Sequence, residues 1–173
     1  MNFIITCQRN LEYETIEEIA RFLDKFGDSN AKISKTPFSG IIELNTLLDI
    51  FDVIKQFRLI LDEEPWAIRF CSRIIPIQQM CKSELKSIKE CIQTMTSRIE
   101  KNQSYRISIE KRNSDLKSRD LISEIAEIIP NKVSLEQADW EIVIQIMGKT
   151  TGIGILPKNS IISVSKEKRL SSY

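Results

Sequence analysis

The groups in this chain that could do chemistry are cations, carboxylates and thiols, because it contains no histidine. That absence removes serine or cysteine catalysis built on a histidine base, and zinc sites built on histidine ligands. Cys7, Cys71, Cys81 and Cys91 form no C-x-x-C pair, so neither a zinc knuckle nor a thioredoxin-like centre is written here. They read as buried free thiols of a reducing compartment. Glu12, Glu14, Glu17 and Glu18 read as the solvated face of a helix, and Asp62-Glu63-Glu64 as a charged helix end or loop. Gly152-Ile153-Gly154 starts a strand instead of joining a strand to a helix, so it is neither a phosphate-binding loop nor a dinucleotide fingerprint. No Ser, Cys or Lys stands in a nucleophile motif. The expectation is a chain with no catalytic residue, no metal site and no cofactor of its own: a binding protein and not an enzyme.

The cations carry the stronger signal. The stretch YRISIEKRNSDLKSR, Tyr105–Arg119, holds Arg106, Lys111, Arg112, Lys117 and Arg119 against Glu110 and Asp115. Lys111 and Arg112 fall where a strand ends, and Arg119 in the first turn of the next helix. A helix start carries unpaired N–H groups and a partial positive charge, which oppose an arginine there unless an anion neutralises both. A phosphate between Arg112, Arg119 and the helix start would satisfy all three. Pairing of these arginines with Asp115 and Asp120 on a wet surface is the other reading. Arg69 and Arg73 on one strand face, and Lys166, Lys168 and Arg169 near the end, could extend the patch.

Stepping along the chain gives the elements that must hold these groups. Phe3–Cys7 reads as a strand. Ile16, Ile19, Ala20, Leu23 and Phe26 repeat at helical spacing up to Gly27, a helix stop. Ala31–Lys35 and Gly40–Leu44 are short strands broken by Thr36-Pro37-Phe38-Ser39. Thr46 with Asp49 resembles a capping box, opening a helix with Leu47, Ile50, Phe51, Ile54, Phe57 and Leu61 on its buried face. Trp66–Ile75 reads as a long strand with Trp66, Ile68 and Phe70 on one side and Arg69 and Arg73 on the other. The order β-α-β-β-α-β is the ferredoxin-like one. Beyond it, Ser83 caps a helix carrying Leu85, Ile88, Ile92, Met95 and Ile99. Tyr105, Ile107 and Ile109 alternate with polar residues as a half-buried strand, and Ser118 caps a helix with Leu121, Ile122, Ile125, Ile128 and Ile129. Trp140–Met147 is a near-continuous apolar strand, as a central strand covered on both faces requires. A turn at 148–152 leads to Ile153–Leu156, then Ile161–Ser165, and a frayed basic tail.

The 173 residues, 42% of them hydrophobic and 28% charged, suffice for a real core. The net charge of +1 hides a contrast: 7 basic against 12 acidic residues from Met1 to Pro65, and 18 against 12 from Trp66 onward. No secretory leader and no apolar run long enough for a membrane span is visible, which predicts a cytoplasmic protein. The expected fold class is α/β (α+β): a ferredoxin-like domain at 1–78, a second α/β domain at 79–167, and a basic, polar tail at 168–173.

From Tyr105 onward the sequence resembles a THUMP domain, the RNA-binding module of several tRNA-modifying proteins. The matching features are the Tyr105-Arg106 strand ending in Lys111-Arg112, the Ser118-Arg119-Asp120 helix start, the approach through Val133, Leu135 and Trp140, and the Gly-rich turn into the last strands. The likeness runs over roughly Cys81–Ser165. Asn2–Cys7, Thr36–Gly40, Trp66–Gln79 and Val164–Lys168 resemble the small stand-alone THUMP proteins required for N4-acetylcytidine formation in tRNA. That resemblance implies a non-catalytic adaptor that binds tRNA through its acceptor end. It would present the tRNA to a separate acetyltransferase, without membrane attachment or a small-molecule substrate of its own. RNA contacts carry over onto Lys111, Arg112 and Arg119. The alternatives are the RNA-binding subunit of a thiolation or methylation enzyme, and a ferredoxin-like regulatory or protein-interaction module with no RNA role.

Overall fold

Burial of two separate isoleucine-rich sheet faces divides the chain. In the computed structural model, which describes residues 1–170, one unit is Met1–Pro76 together with the residues from Asn159 onward, and the other is Ile77–Lys158.

The first unit runs β1 (Phe3–Cys7), α1 (Glu12–Phe26), β2 (Lys32–Lys35), β3 (Ile41–Asn45), α2 (Ile50–Glu63) and β4 (Cys71–Pro76). The sheet order is β2-β3-β1-β4-β9, antiparallel throughout, where β9 is Ile162–Ser163. This is the expected ferredoxin-like arrangement with one added edge strand. Alternate residues of the central strands, Phe3, Ile5, Ile42, Leu44 and Ile74, meet Ile19, Leu23, Ile54, Phe57 and Leu61 of the two helices in one core. Phe57 is fully buried and receives Phe22 and Phe26 edge-on at 5.6 and 5.1 Å; burying such a ring contributes on the order of 2–3 kcal/mol. Gly40 lies at φ 75°, and a Cβ there would stand 2.8 Å from the Cys7 carbonyl oxygen, so the turn before β3 requires glycine.

Carboxylates expected on the solvated face of α1 do structural work. Glu18 is buried and accepts the backbone N–H groups of Arg69 (2.6 Å), Phe70 and Cys71 (2.9 Å). Glu12 accepts the N–H of Gly40 at 2.7 Å, while Glu14 and Glu17 face solvent. With residues 69–71 bound to Glu18, the strand expected from Trp66 cannot begin there. A 3₁₀ turn at Pro65–Ala67 replaces its start, β4 begins at Cys71, and Trp66 is 70% exposed instead of facing the core. The start of α2 also differs. Asp49 is the N-cap, accepting from Phe51 and Asp52 N–H at 2.9 and 3.1 Å, while the Thr46 hydroxyl donates to Asp28. Leu47 therefore lies outside the helix and is exposed, not buried.

The expected boundaries at 79–167 and 168–173 are not those of the folded chain. Ile162 pairs with Ile74 of β4, and α5 (Val164–Leu170) follows with Val164 in the first core. Arg58 donates to the Ile161 carbonyl and to Glu167, each at 3.3 Å, and Lys168 donates to the Ile68 carbonyl at 2.7 Å. The part of the expected tail at 171–173 lies outside the described residues. Because this segment returns to the first unit, the charge contrast shrinks. The first unit carries 12 basic against 13 acidic residues, and the second 13 against 11.

The second unit comprises β5 (Gln79–Lys82), α3 (Leu85–Gln93), β6 (Tyr105–Arg112), α4 (Ser118–Ile128), β7 (Trp140–Met147) and β8 (Thr150–Pro157), with sheet order β5-β8-β7-β6. β6 and β7 are parallel; the other pairs are antiparallel. One sheet face, with Ile142, Ile144, Ile146, Ile153 and Ile155, packs on Ile88 and Ile92 of α3 and Leu121 and Ile125 of α4. Lys89 of α3 ties the helices by donating to Glu124 (2.5 Å) and Glu127 (3.2 Å). Neither expected serine cap forms: Glu84 and Lys117 are the N-cap residues, and neither side chain accepts a backbone N–H of its helix. Ser83 instead bonds the Thr151 hydroxyl at 2.8 Å. Among the described residues no helix is long and apolar enough to cross a membrane.

Glu18→Ala removes the acceptor of the Arg69, Phe70 and buried Cys71 N–H groups and should lower unfolding free energy by roughly 2–3 kcal/mol in urea titrations; an unchanged midpoint would refute the capping role. Asp139 accepts the N–H and hydroxyl of Ser104 at 2.8 and 3.0 Å, which holds its carboxyl below the usual range. Its stabilisation is complete above the ordinary aspartate pKa of about 3.9 and lost as pH falls through the lowered value. The stability gap between wild type and Asp139→Asn should accordingly stay constant from neutral pH down to about 5 and close below about 4.

Candidate nucleic-acid interface

A parallel pair joined by a helix places both carboxyl ends, and the start of the crossover helix, at one edge of the sheet. Here the register extends that edge across all four strands, aligning Lys82, Thr150, Met147 and Arg112 in one row. Above the row the Ser83-Glu84 and Gly148-Lys149 connections and the Asn113–Leu116 loop surround a cleft of about 760 Å³, into which Lys82 and Lys149 also face. The rim is tied together by backbone bonds: Ser83 N–H to the Lys149 carbonyl at 3.0 Å and Gly148 N–H to the Arg112 carbonyl at 2.8 Å. Asn113 and Gly148 take left-handed backbone at φ 51° and 60°, which turns the chain sharply at both strand ends.

Of the nine residues expected to contact RNA, the structure gathers Lys111, Arg112, Lys117 and Arg119 at this edge. Lys111 is exposed and donates to the Leu116 carbonyl at 2.7 Å, strapping the loop. Lys117 and Arg119 are exposed at the start of α4, and no ion pair joins Arg119 to Asp115 or Asp120 among the described residues. Arg112 behaves differently. Its guanidinium donates to Glu110 at 2.9 Å and to Gln145 at 3.1 Å, leaving its side chain 19% exposed. Gln145 is fully buried, and its Nε2 has no partner among the described residues, so Arg112 is its one side-chain bond.

Of the remaining five, one lies farther along β6 and four belong to the other unit. Arg106 lies six residues before Arg112, about 20 Å along an extended strand, and pairs with Glu141 at 2.6 Å. Arg69, Arg73, Lys166 and Lys168 belong to the first unit. Arg69 and Lys166 are exposed, Arg73 is half-buried on β4, and Lys168 caps the Ile68 carbonyl. Two cations that sequence reasoning missed complete the edge. Lys149 is exposed in the β7–β8 turn, where a lysine between Gly148 and Thr150 was a legible signal; Lys82 ends β5, a short strand without apolar alternation. The edge thus exposes Lys82, Lys111, Lys117, Arg119 and Lys149 against Glu84, Asp115 and Asp120.

Burial disfavours the thiolate form at all four cysteines: it pushes Cys81 up to about 12 and raises Cys7, Cys71 and Cys91. No group of three or more metal-ligating side chains is present among the described residues.

Residues 82–156, from the end of β5 to the penultimate residue of β8, match the THUMP domain family. That span holds every residue lining the cleft. In overall fold the chain is similar to PH1313 from Pyrococcus horikoshii (TM-score 0.68, 18% identity, 94% of this chain and 55% of that one). It is also similar to TrmN from Thermus thermophilus (0.61, 9%, 90% and 45%). A third similar structure is a 4-thiouridine synthetase in complex with RNA and ATP (0.52, 9%, 93% and 41%). The chain spans about half the length of these proteins. No curated protein matches it in sequence.

The two kinds of cation at this edge separate experimentally. Arg112→Ala removes the side-chain bond of the fully buried Gln145 amide, at its Oε1, and should cost about 1–3 kcal/mol of stability. Lys149→Ala should leave stability within about 0.5 kcal/mol. Urea unfolding of the two variants checks both; equal stability would remove the structural role assigned to Arg112.

Proposed function

We propose that this chain, which carries a THUMP domain over residues 82–156, is a non-catalytic tRNA-binding adaptor. In this reading it presents tRNA, through its acceptor end, to a separate acetyltransferase that forms N4-acetylcytidine. The observation that carries RNA binding is the cationic cleft at the sheet edge inside the matched span. Exposed lysines and an arginine around a concave site attract a phosphate backbone, and release of its counterions drives binding. No aromatic side chain lines the cleft, so recognition there works through phosphates and polar groups instead of base stacking, which favours register over sequence. Lys82, Lys149, Lys117 and Arg119 are the phosphate contacts, with Arg112 holding the strand end that positions them. Support for the chemistry residing elsewhere comes from a chain that has no histidine and holds its thiols protonated.

The second reading, an RNA-binding part of a thiolation or methylation enzyme, draws on the fold shared with a 4-thiouridine synthetase bound to RNA, of which this chain spans 41%. Reconstitution separates the two: acetylation of a cytidine by the separate acetyltransferase should require this chain.

Titration with mature tRNA in gel shifts should show binding that weakens when the single-stranded 3′ tail is removed. Lys149→Ala or Arg119→Ala should each lower the salt slope of log K by about one contact. Equal, negligible binding of both RNAs would sink the proposal, and unchanged slopes would move the site off this edge.

A further inference from the structure

Among the described residues Trp66 and Tyr13 are the most exposed aromatic side chains, each at 70%, and Trp66 does not sit on a loose segment. Pro65 opens the 3₁₀ turn that carries it, Ala67 N–H bonds the Glu64 carbonyl at 2.8 Å, and the residues immediately after are clamped by Glu18. A tryptophan on rigid backbone projects a large apolar area with little ordering left to lose on binding, the property of anchor residues at protein interfaces. Leu59, 43% exposed, precedes Asp62 and Glu63 by three and four residues on the same face of α2 and adds apolar surface beside them.

The charges beside it are arranged against the stability of the isolated unit. Asp62, Glu63 and Glu64 stand at the carboxyl end of α2, where the helix carries partial negative charge and where its last turn has no basic residue. All three are exposed, and none forms an ion pair among the described residues. Carboxylates in this position repel a nucleic acid, and they complement a cationic protein surface. We infer that Trp66, Leu59 and the Asp62-Glu63-Glu64 run form a docking surface for a protein partner that offers an apolar pocket ringed by lysine or arginine. This rests on the adaptor reading, which requires a partner enzyme, and it assigns that enzyme to the first unit while the RNA occupies the second.

The test uses the full chain, the purified tRNA acetyltransferase encoded in the same genome, and tRNA. Trp66→Ala should weaken binding of the enzyme at least tenfold in calorimetric titration while leaving tRNA affinity unchanged. Combined Asp62→Lys, Glu63→Lys and Glu64→Lys should weaken it similarly and abolish the loss of enzyme affinity with added salt. Enzyme binding equal in wild type and Trp66→Ala overturns the docking surface and leaves the adaptor reading standing. No enzyme binding by wild type removes both. Loss of tRNA affinity in Trp66→Ala would make this an RNA surface, and self-association of the wild type that Trp66→Ala abolishes would make it a homodimer contact; either result overturns the proposal.

Discussion

The parallel pairing of β6 with β7 is the constraint on which the second unit depends. Antiparallel neighbours can be joined by a tight turn, but a parallel pair needs a crossover, and α4 with its flanking loops supplies it. The crossover forces the ends of β6 and β7 and the start of α4 to the same edge. The two-residue turn after β7 then returns the chain antiparallel from that edge as β8, and β5 pairs on the outside with its own carboxyl end there too. Three connections converge because one pair of strands runs in the same direction. The cleft is what the converging connections leave open.

Converging loops must be held, and the molecule does this with side chains that a composition count would assign to solvent. Glu18 and Glu12 in the first unit and Asp139 in the second accept backbone N–H groups at or just before the start of a strand. A carboxylate can take several such donors, and charge makes each bond stronger than a neutral one. At the candidate interface Arg112 does the complementary task, donating to Glu110 and to the buried Oε1 of Gln145. A cation so occupied is a poor competitor for phosphate. The exposed lysines around it are free to exchange water and counterions for a ligand.

Periodicity made the sheet centres and helix faces legible. Phe3–Cys7, Trp140–Met147 and the apolar stripe of α1 ending at Gly27 lie where alternation and helical spacing put them. What periodicity lacks is a partner. Ile162 reads as a strand in either unit, and only its register with Ile74 assigns it to the first. Trp66 has the pattern of a strand residue, and the competing Glu18 bonds to residues 69–71, which keep it from being one, join positions some fifty residues apart. Lys82 was hidden for a related reason: β5 gains its identity from β8, with Lys82 opposite Thr150, not from its own sequence. The candidate site was therefore half visible. The cations of one continuous stretch stood out, while those brought in by sheet pairing did not.

The same pairing changes the electrostatic argument. Divided by sequence, the chain looks like an acidic third joined to a basic remainder. Divided by fold, neither unit departs far from neutrality, since the basic residues near the end belong with the acidic first unit. Long-range attraction from either unit is consequently small at physiological salt, where charges beyond about 8 Å are screened. Any phosphate binding must come from the local excess at the sheet edge, within a few ångströms of the ligand. An interface of this kind would hold RNA through few contacts, with a salt slope in proportion to their number. In the proposed adaptor role such modest affinity is workable, because binding two partners on one chain raises the effective concentration of each for the other without requiring either contact to be tight.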